Sequence, residues 1–306
     1  MYKYKNKEYD FIFTIFDDTD NSTIENIKPV YNYLYKNKIF ITKSVWSKEV
    51  KNGNNFTGDS LENEDYLNFI LELKKKGFEI ALHNVGSGQF VREEIIEGVE
   101  KYKELIDEYP NIHVNHSSNS DNIYWGGVRF MFPFNYIYTF FNKKRYYGEI
   151  EDSPFFWGDI VKKHIKYVRS HTFYDINTIK SDPYMPYIEN SKSKYSNFWF
   201  SSTDALDITN FNTMVSPNNI DKLIDENGIS IIYTHFASGF VKDGQLDKEF
   251  KKNIEYLSSK NGLFIPISKL LDFLLEKKYY KNLTISNFEK FKLDFRFFYQ
   301  RVMRKL

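Results

Sequence analysis

A chain of 306 residues, 42% hydrophobic and 19% aromatic, is long enough to bury a sizeable core in one domain or in a domain with appendages. The sequence has no cysteine, which excludes disulfides and thiolate metal sites and leaves histidine and carboxylate to hold any transition metal. A net charge of +1 argues against a nucleic-acid partner; the start, MYKYKNKEYD, lacks a signal-peptide core and no run approaches about 18 apolar residues, so a soluble, cytoplasmic protein is expected.

In chain order, Phe11-Ile12-Phe13-Thr14-Ile15-Phe16 is a nearly continuous apolar, β-prone run that suits a strand covered on both faces. It stops at Asp17-Asp18-Thr19-Asp20. Ser22-Thr23-Ile24-Glu25 then reads as a capping box opening a helix to about Lys36, and Ile39 to Thr42 reads as a second strand. A helix near 62–76 ends at Gly77 and leads into the strand Phe78 to Leu82, which stops at His83-Asn84. A helix over 91–107 precedes the strand 112–114, which stops at Asn115-His116. Residues 117–165 and 171–196 read as long loops. Strands are predicted at 166–169, 197–200 and 229–234, and helices near 217–225, 247–259 and 267–276. This alternation predicts an α/β fold with a parallel sheet or barrel.

In such folds the functional residues gather at the carboxyl ends of the strands. The residues predicted there are Asp17, Asp18, His83, Asn84, Asn115, His116, Arg169, His171, Ser201 to Asp204, Thr234 and His235. Each has a structural alternative: Asp17-Asp18 could cap a helix, and single histidines are more often core residues, as His113 and His164 are taken to be. Their gathering on one edge is what favours a site. Adjacent carboxylates beside a core need a cation to offset their repulsion. A divalent metal on Asp18, His83 and His116 would do so, with Asp17 as general base and His235 as general acid.

The same residues resemble the polysaccharide deacetylases, carbohydrate esterase family 4. Phe13-Thr14-Ile15-Phe16-Asp17-Asp18 is similar to that family's Thr-Phe-Asp-Asp-Gly motif, Gly77 to Asn84 to its metal-histidine segment, and Ile231 to His235 to its last motif. Asn115 to Asn119, Tyr124-Trp125-Gly126, Phe156 to Asp159 and Phe264 to Asp272 resemble a divergent subgroup from O-antigen and capsule biosynthesis clusters. The resemblance implies a distorted (β/α) barrel of about seven parallel strands. It implies a metal-dependent hydrolase that removes an N- or O-acetyl group from a carbohydrate substrate, a carbon–nitrogen bond in the first case, and Asp/His₂ ligation makes zinc the expected metal. It also implies Asp17 as base, Asp18 and His83 as ligands and His235 as acid. The family's second histidine, four residues after the first, is here Ser87, and His116 is expected to replace it from the next strand. Thr19 stands where the family has glycine, with another carboxylate at Asp20. Asp159, Asp175 and Asp204 are alternatives for orienting His235 or an arginine. A relative without catalysis, binding carbohydrate or a partner, is the alternative reading.

The expected organisation is a barrel over residues 1–276 and a basic, aromatic helical tail over 277–306. That tail carries nine Lys/Arg against Glu289 and Asp294. Ser286 to Glu289 is a second capping box, followed by Phe288, Phe291, Phe295, Phe298 and Val302 on one helical face. This helix could pack on the barrel or across a dimer contact. Alternatively, residues 286–306 could lie on the inner face of an anionic membrane.

Overall fold

The computed structural model describes residues 1–51, 56–278 and 282–305. Of the basic residues expected in the tail, Lys281 and the side chain of Lys305 fall outside them. The sheet runs β1 (Phe11–Asp17), β2 (Thr42–Val45), β3 (Glu79–Leu82), β4 (Ile112–His113), β5 (Tyr167–Phe173), β6 (Phe198–Asp204) and β7 (Ile229–Thr234), all parallel and each beside the next. Pairing from Ile12↔Ile229 to Asp17↔Thr234 joins β7 back to β1 and closes a seven-stranded barrel. A further strand, β8 (Gly262–Phe264), pairs with the start of β1 on the edge that β1 gives to β2 at its other end. Gly262 is required there, because a Cβ would lie 2.4 Å from the Phe11 ring.

All seven residues of β1 are buried, as expected for a strand with barrel interior on one side and helices on the other. The helices α1 (Ile24–Lys36), α2 (Glu64–Lys75) and α3 (Arg92–Ile106) follow β1, β2 and β3. Thr23 begins α1, and Asn26 Oδ1 accepts its backbone N–H at 2.9 Å, so the helix starts one residue later than the Ser22 reading. Strand β2 also lies later than expected, at 42–45. Gly77 closes α2 at φ +99, a left-handed conformation that favours glycine. The stretch 117–165, expected as loop, contains α4 (Phe134–Phe141) and a short helix, Gly158–His164. β5 runs on through His171 to Phe173.

The last helix, α5 (Asn287–Lys305), begins at the expected capping box: Ser286 Oγ accepts from Glu289 N and Glu289 Oε2 from Ser286 N. It packs on the barrel, though not by the face that the phenylalanine spacing marks. Lys290, Leu293, Asp294 and Phe297 are buried, while Phe288, Phe291, Phe295 and Val302 are exposed. The reason is polar. Asp294 accepts hydrogen bonds from Lys290, from Met131 N and from His171 Nε2 in β5, and these bonds fix the helix's rotation.

Candidate active site

The carboxyl ends of the barrel strands open into a cavity of about 480 Å³. Its floor and walls include Asp18, Asp20, His83, Arg169, Tyr233 and His235, with Tyr138 of α4 and Phe297 and Arg301 of α5 on one side. Of the residues predicted at the strand ends, Asp18, His83, Asn115, Arg169, Asp204 and His235 line it, and buried His116 reaches its edge through Asp20. Asp17 does not line it.

Pleating separates the two adjacent aspartates. Successive side chains of a strand point to opposite faces. The ladder continues through Asp18, whose N–H donates to Thr234 O at 2.9 Å. Asp18 therefore shares the inner face with Phe16, and both contact Arg169. Asp17 points outward beneath α1. Its Oδ2 accepts from the Tyr31 hydroxyl at 2.8 Å and lies 3.1 Å from Lys43 Nζ, and its Oδ1 accepts from Phe236 N at 2.8 Å. Asp17 and Lys43 are both fully buried. Burial pushes the Asp17 carboxyl up, partly offset by the Lys43 charge and these hydrogen bonds. Asp17, expected as the base, thus has its oxygens bonded within the wall and does not line the cavity.

Asp18 is held by Arg169 in a bidentate pair, Nη1–Oδ1 3.1 Å and Nη2–Oδ2 2.7 Å. Arg169 itself lies against the Tyr233 and Phe16 rings, 4.2 and 5.1 Å from their centroids. With its carboxylate so engaged, Asp18 stands 3.8 Å from His83 Nε2 and is not the carboxylate closest to the histidines.

Asp20 is. Its Oδ1 lies 2.7 Å from His116 Nε2, and its Oδ2 lies 3.4 Å from His83 Nε2 and 2.9 Å from His235 Nε2. Burial alone would raise its pKa, but the His83 charge and the three imidazoles hold it well below the carboxylate range. Asp20 escaped the sequence reading because it lies beyond the strand in the turn. The available signal was its spacing: two residues after Asp18, it returns to the inner face.

The histidines are oriented from behind. His83 Nδ1 donates to Val114 O at 3.1 Å. His116 Nδ1 lies 3.1 Å from Asn119 Oδ1, and Asn119 is itself fixed because it accepts from Gly88 N and donates to Gly86 O. Asn84 Oδ1 accepts the backbone N–H of His116 and so sets the loop that carries it. A protonated Nδ1 leaves the Nε2 lone pair free, the arrangement behind a metal-binding imidazole. His83 Nε2, His116 Nε2 and Asp20 Oδ1 are buried and make no hydrogen bond despite their proximity. With each Nδ1 carrying the proton, these three atoms are all acceptors and repel one another unless a cation, a proton or a metal, lies between them. Asp20, His83 and His116 therefore fit a divalent metal, and Asp18, Asp20 and His235 form a second possible grouping. Ser87, at the family's usual second-histidine position, is buried with its Oγ unpartnered, away from the cavity lining.

His235 directly follows β7, with Nδ1 donating to Leu206 O at 3.0 Å and Nε2 meeting Asp20. Burial pushes its pKa down, but the bond to Asp20 and the Asp18 and Asp20 charges outweigh this and raise it to about 9. His171, also expected at a strand end, is elsewhere. It accepts from Ser170 Oγ and donates to Asp294 within the α5 contact, and burial lowers its pKa to about 3.

Fold and site together define a closed seven-stranded (β/α) barrel with a carboxylate–histidine cluster at its carboxyl mouth. The same barrel is found in a probable polysaccharide deacetylase from Pseudomonas aeruginosa PAO1, over 90% of this chain and 97% of that one, with a TM-score of 0.53 and 9% identity. An allantoinase matches over 90% of this chain and 96% of its own, with a TM-score of 0.51 and 11% identity. Neither a protein-family model nor a curated protein matches the sequence.

Proposed function

We propose that the chain is a metal-dependent hydrolase that removes an acetyl group from an acetylated sugar in bacterial surface-polysaccharide assembly. The observation that carries this reading is the convergence of three unsatisfied buried acceptors, His83 Nε2, His116 Nε2 and Asp20 Oδ1, at the mouth of the barrel. Asp20, His83 and His116 would hold the metal, and two imidazoles with one carboxylate suit zinc. Such an ion would polarise the acetyl carbonyl and acidify the attacking water. In this reading Asp20 takes the ligand role expected of Asp18.

Asp18 then takes the base role expected of Asp17. Arg169 fixes its carboxylate, and each oxygen retains a lone pair with which to accept the proton of the attacking water. His235, anchored through Nδ1 to Leu206 O, donates a proton from Nε2 to the departing sugar nitrogen or oxygen. Asp17 acts indirectly, by holding the backbone at Phe236 immediately after His235. Metal analysis of the purified chain, paired with acetate release from acetylated sugars, tests the assignment. Bound metal lost in His116→Ala, together with acetate release lost in Asp18→Asn, is the expected outcome. A protein without metal or acetate release would instead be the sugar- or partner-binding relative.

The reading includes a membrane contact. α4 and α5 meet through Phe134, which stacks on Phe298 at 5.1 Å and meets Phe291 at a tilt, 5.2 Å between centroids. Either side of that seam the helices expose Phe140, Phe141, Phe288 and Phe295, the first two about 80% accessible. Lys143, Lys144, Arg145 and Lys292 are exposed around them. Aromatic side chains ringed by cations match an anionic lipid surface. Among the described residues no helix is long and apolar enough to cross a membrane. Sedimentation with phosphatidylglycerol vesicles should deplete the full chain from solution and leave a Phe140→Glu, Phe141→Glu variant behind. Equal soluble fractions, or a dimer that hides this face, would refute the contact.

A further inference from the structure

The cavity lining also carries two guanidinium groups that make no ion-pair contact with a carboxylate. Arg129 and Arg301 both line the cavity, and among the described residues neither forms an ion pair. Arg129 is nearly buried, donates from Nη1 to Ser170 O, and has a buried Nε with no acceptor. Trp125, Phe130 and Phe297 enclose it, with ring centroids 4.2, 4.6 and 4.9 Å from its guanidinium carbon. The Arg301 guanidinium lies 3.4 Å from the centroid of the same Phe297 ring and donates to Thr172 O and Oγ1. Asp204 shares the wall without forming an ion pair to either.

Two like charges beside one ring repel each other, and with Asp294 and Asp204 acting on them only at a distance an anion in direct contact would relieve that cost. Guanidinium forks match tetrahedral oxyanions, and a low-dielectric setting strengthens that match. We propose that Arg129 and Arg301 form a phosphate-binding subsite, so that the acetylated sugar taken by this site carries a phosphate. The inference rests on the hydrolase reading for the word substrate, whereas the subsite itself is tested by binding alone. The phosphate would lie on the α4–α5 side of the cavity and the acetyl group at the histidine cluster.

Calorimetric titration of the full chain with N-acetylglucosamine 1-phosphate, N-acetylglucosamine and glycerol 1-phosphate provides the test. The phosphorylated sugar should bind at least tenfold more tightly than either of the others, and Arg129→Gln and Arg301→Gln should each erase most of that preference. Arg301→Lys keeps the charge and should retain part of it. Because Arg301 is half-buried, its variants serve if Arg129→Gln fails to fold. Equal affinity for sugar and sugar phosphate, or an unchanged preference in the Arg301→Gln variant, would overturn the subsite. Glycerol 1-phosphate binding as tightly as the sugar phosphate would assign the anion to a lipid headgroup and overturn the substrate claim. A phosphate preference without acetate release would leave the subsite standing and remove the hydrolase reading. Acetate release with no phosphate preference would do the reverse.

Discussion

The two faces of the first barrel strand end in the same residue type and treat it in opposite ways. On the outer face Asp17 is closed in by Lys43, Tyr31 and the Phe236 amide, each of its oxygens matched by a donor. On the inner face Asp18 and Asp20 meet one arginine and three histidines, and several of those atoms are left without a donor. A buried carboxylate with complete partners holds structure. One that faces unsatisfied acceptors is arranged for something still to arrive.

The largest expected effect that could break this comparison is on turnover. Asp18→Asn should cut kcat by about 10²–10⁴-fold, the usual range for removing a positioned proton acceptor, while metal content is kept. Unchanged acetate release from that variant would return the base role to another group. On the outer face the effect should appear in stability. Asp17→Ala leaves Lys43 buried without its counter-charge and should cost about 3–5 kcal/mol in urea unfolding, with metal still bound by the folded fraction. A variant that melts like the wild type but loses metal would place Asp17 in the site after all.

A smaller effect is expected behind the histidines. Replacing both partners of His116 Nδ1, in an Asn119→Ala, Ser118→Ala variant, should weaken metal affinity by about 10–100-fold, measured by competition with a chelator. No change would mean that His116 is not a ligand. The smallest expected effect concerns His171, a sealed histidine. Its folded pKa, about 3, lies below the unfolded value, so its contribution is complete above pH 6.5 and is lost as pH falls toward 3. Between pH 7 and 5 this group should remove about 2 kcal/mol of stability. His171→Gln should make the fall with pH shallower, and an identical slope would refute the assignment.

Much of the architecture was legible from local pattern. The apolar runs ending in Asp17, His83 and His235, the helix after each, and the capping boxes with their turn glycine all reflect short-range physics, and these elements fall near their predicted places. The helix Phe134–Phe141 was not legible. Its aromatic residues show no clear polar face, and it forms against α5, which lies about 150 residues away in the chain. The burial of α5 was misread for a related reason, since its packed face is set by Asp294 bonding to His171 and not by the phenylalanine stripe.

The sequence by itself determined the seven barrel strands and the helices after all but the fourth and fifth of them, the edge of the barrel on which the chemistry gathers, and the candidate set that includes Asp18, His83, His116 and His235. Only the tertiary structure decided which aspartate faces the cavity and which the wall. Strand pleating turns Asp17 to the wall and Asp18 to the cavity, and the turn beyond returns Asp20 to the histidines. Barrel closure then brings Arg169 to Asp18 across 151 positions of chain, and α5 adds Arg301 to the same wall. Those partnerships depend on strand register and helix docking, which no local pattern encodes.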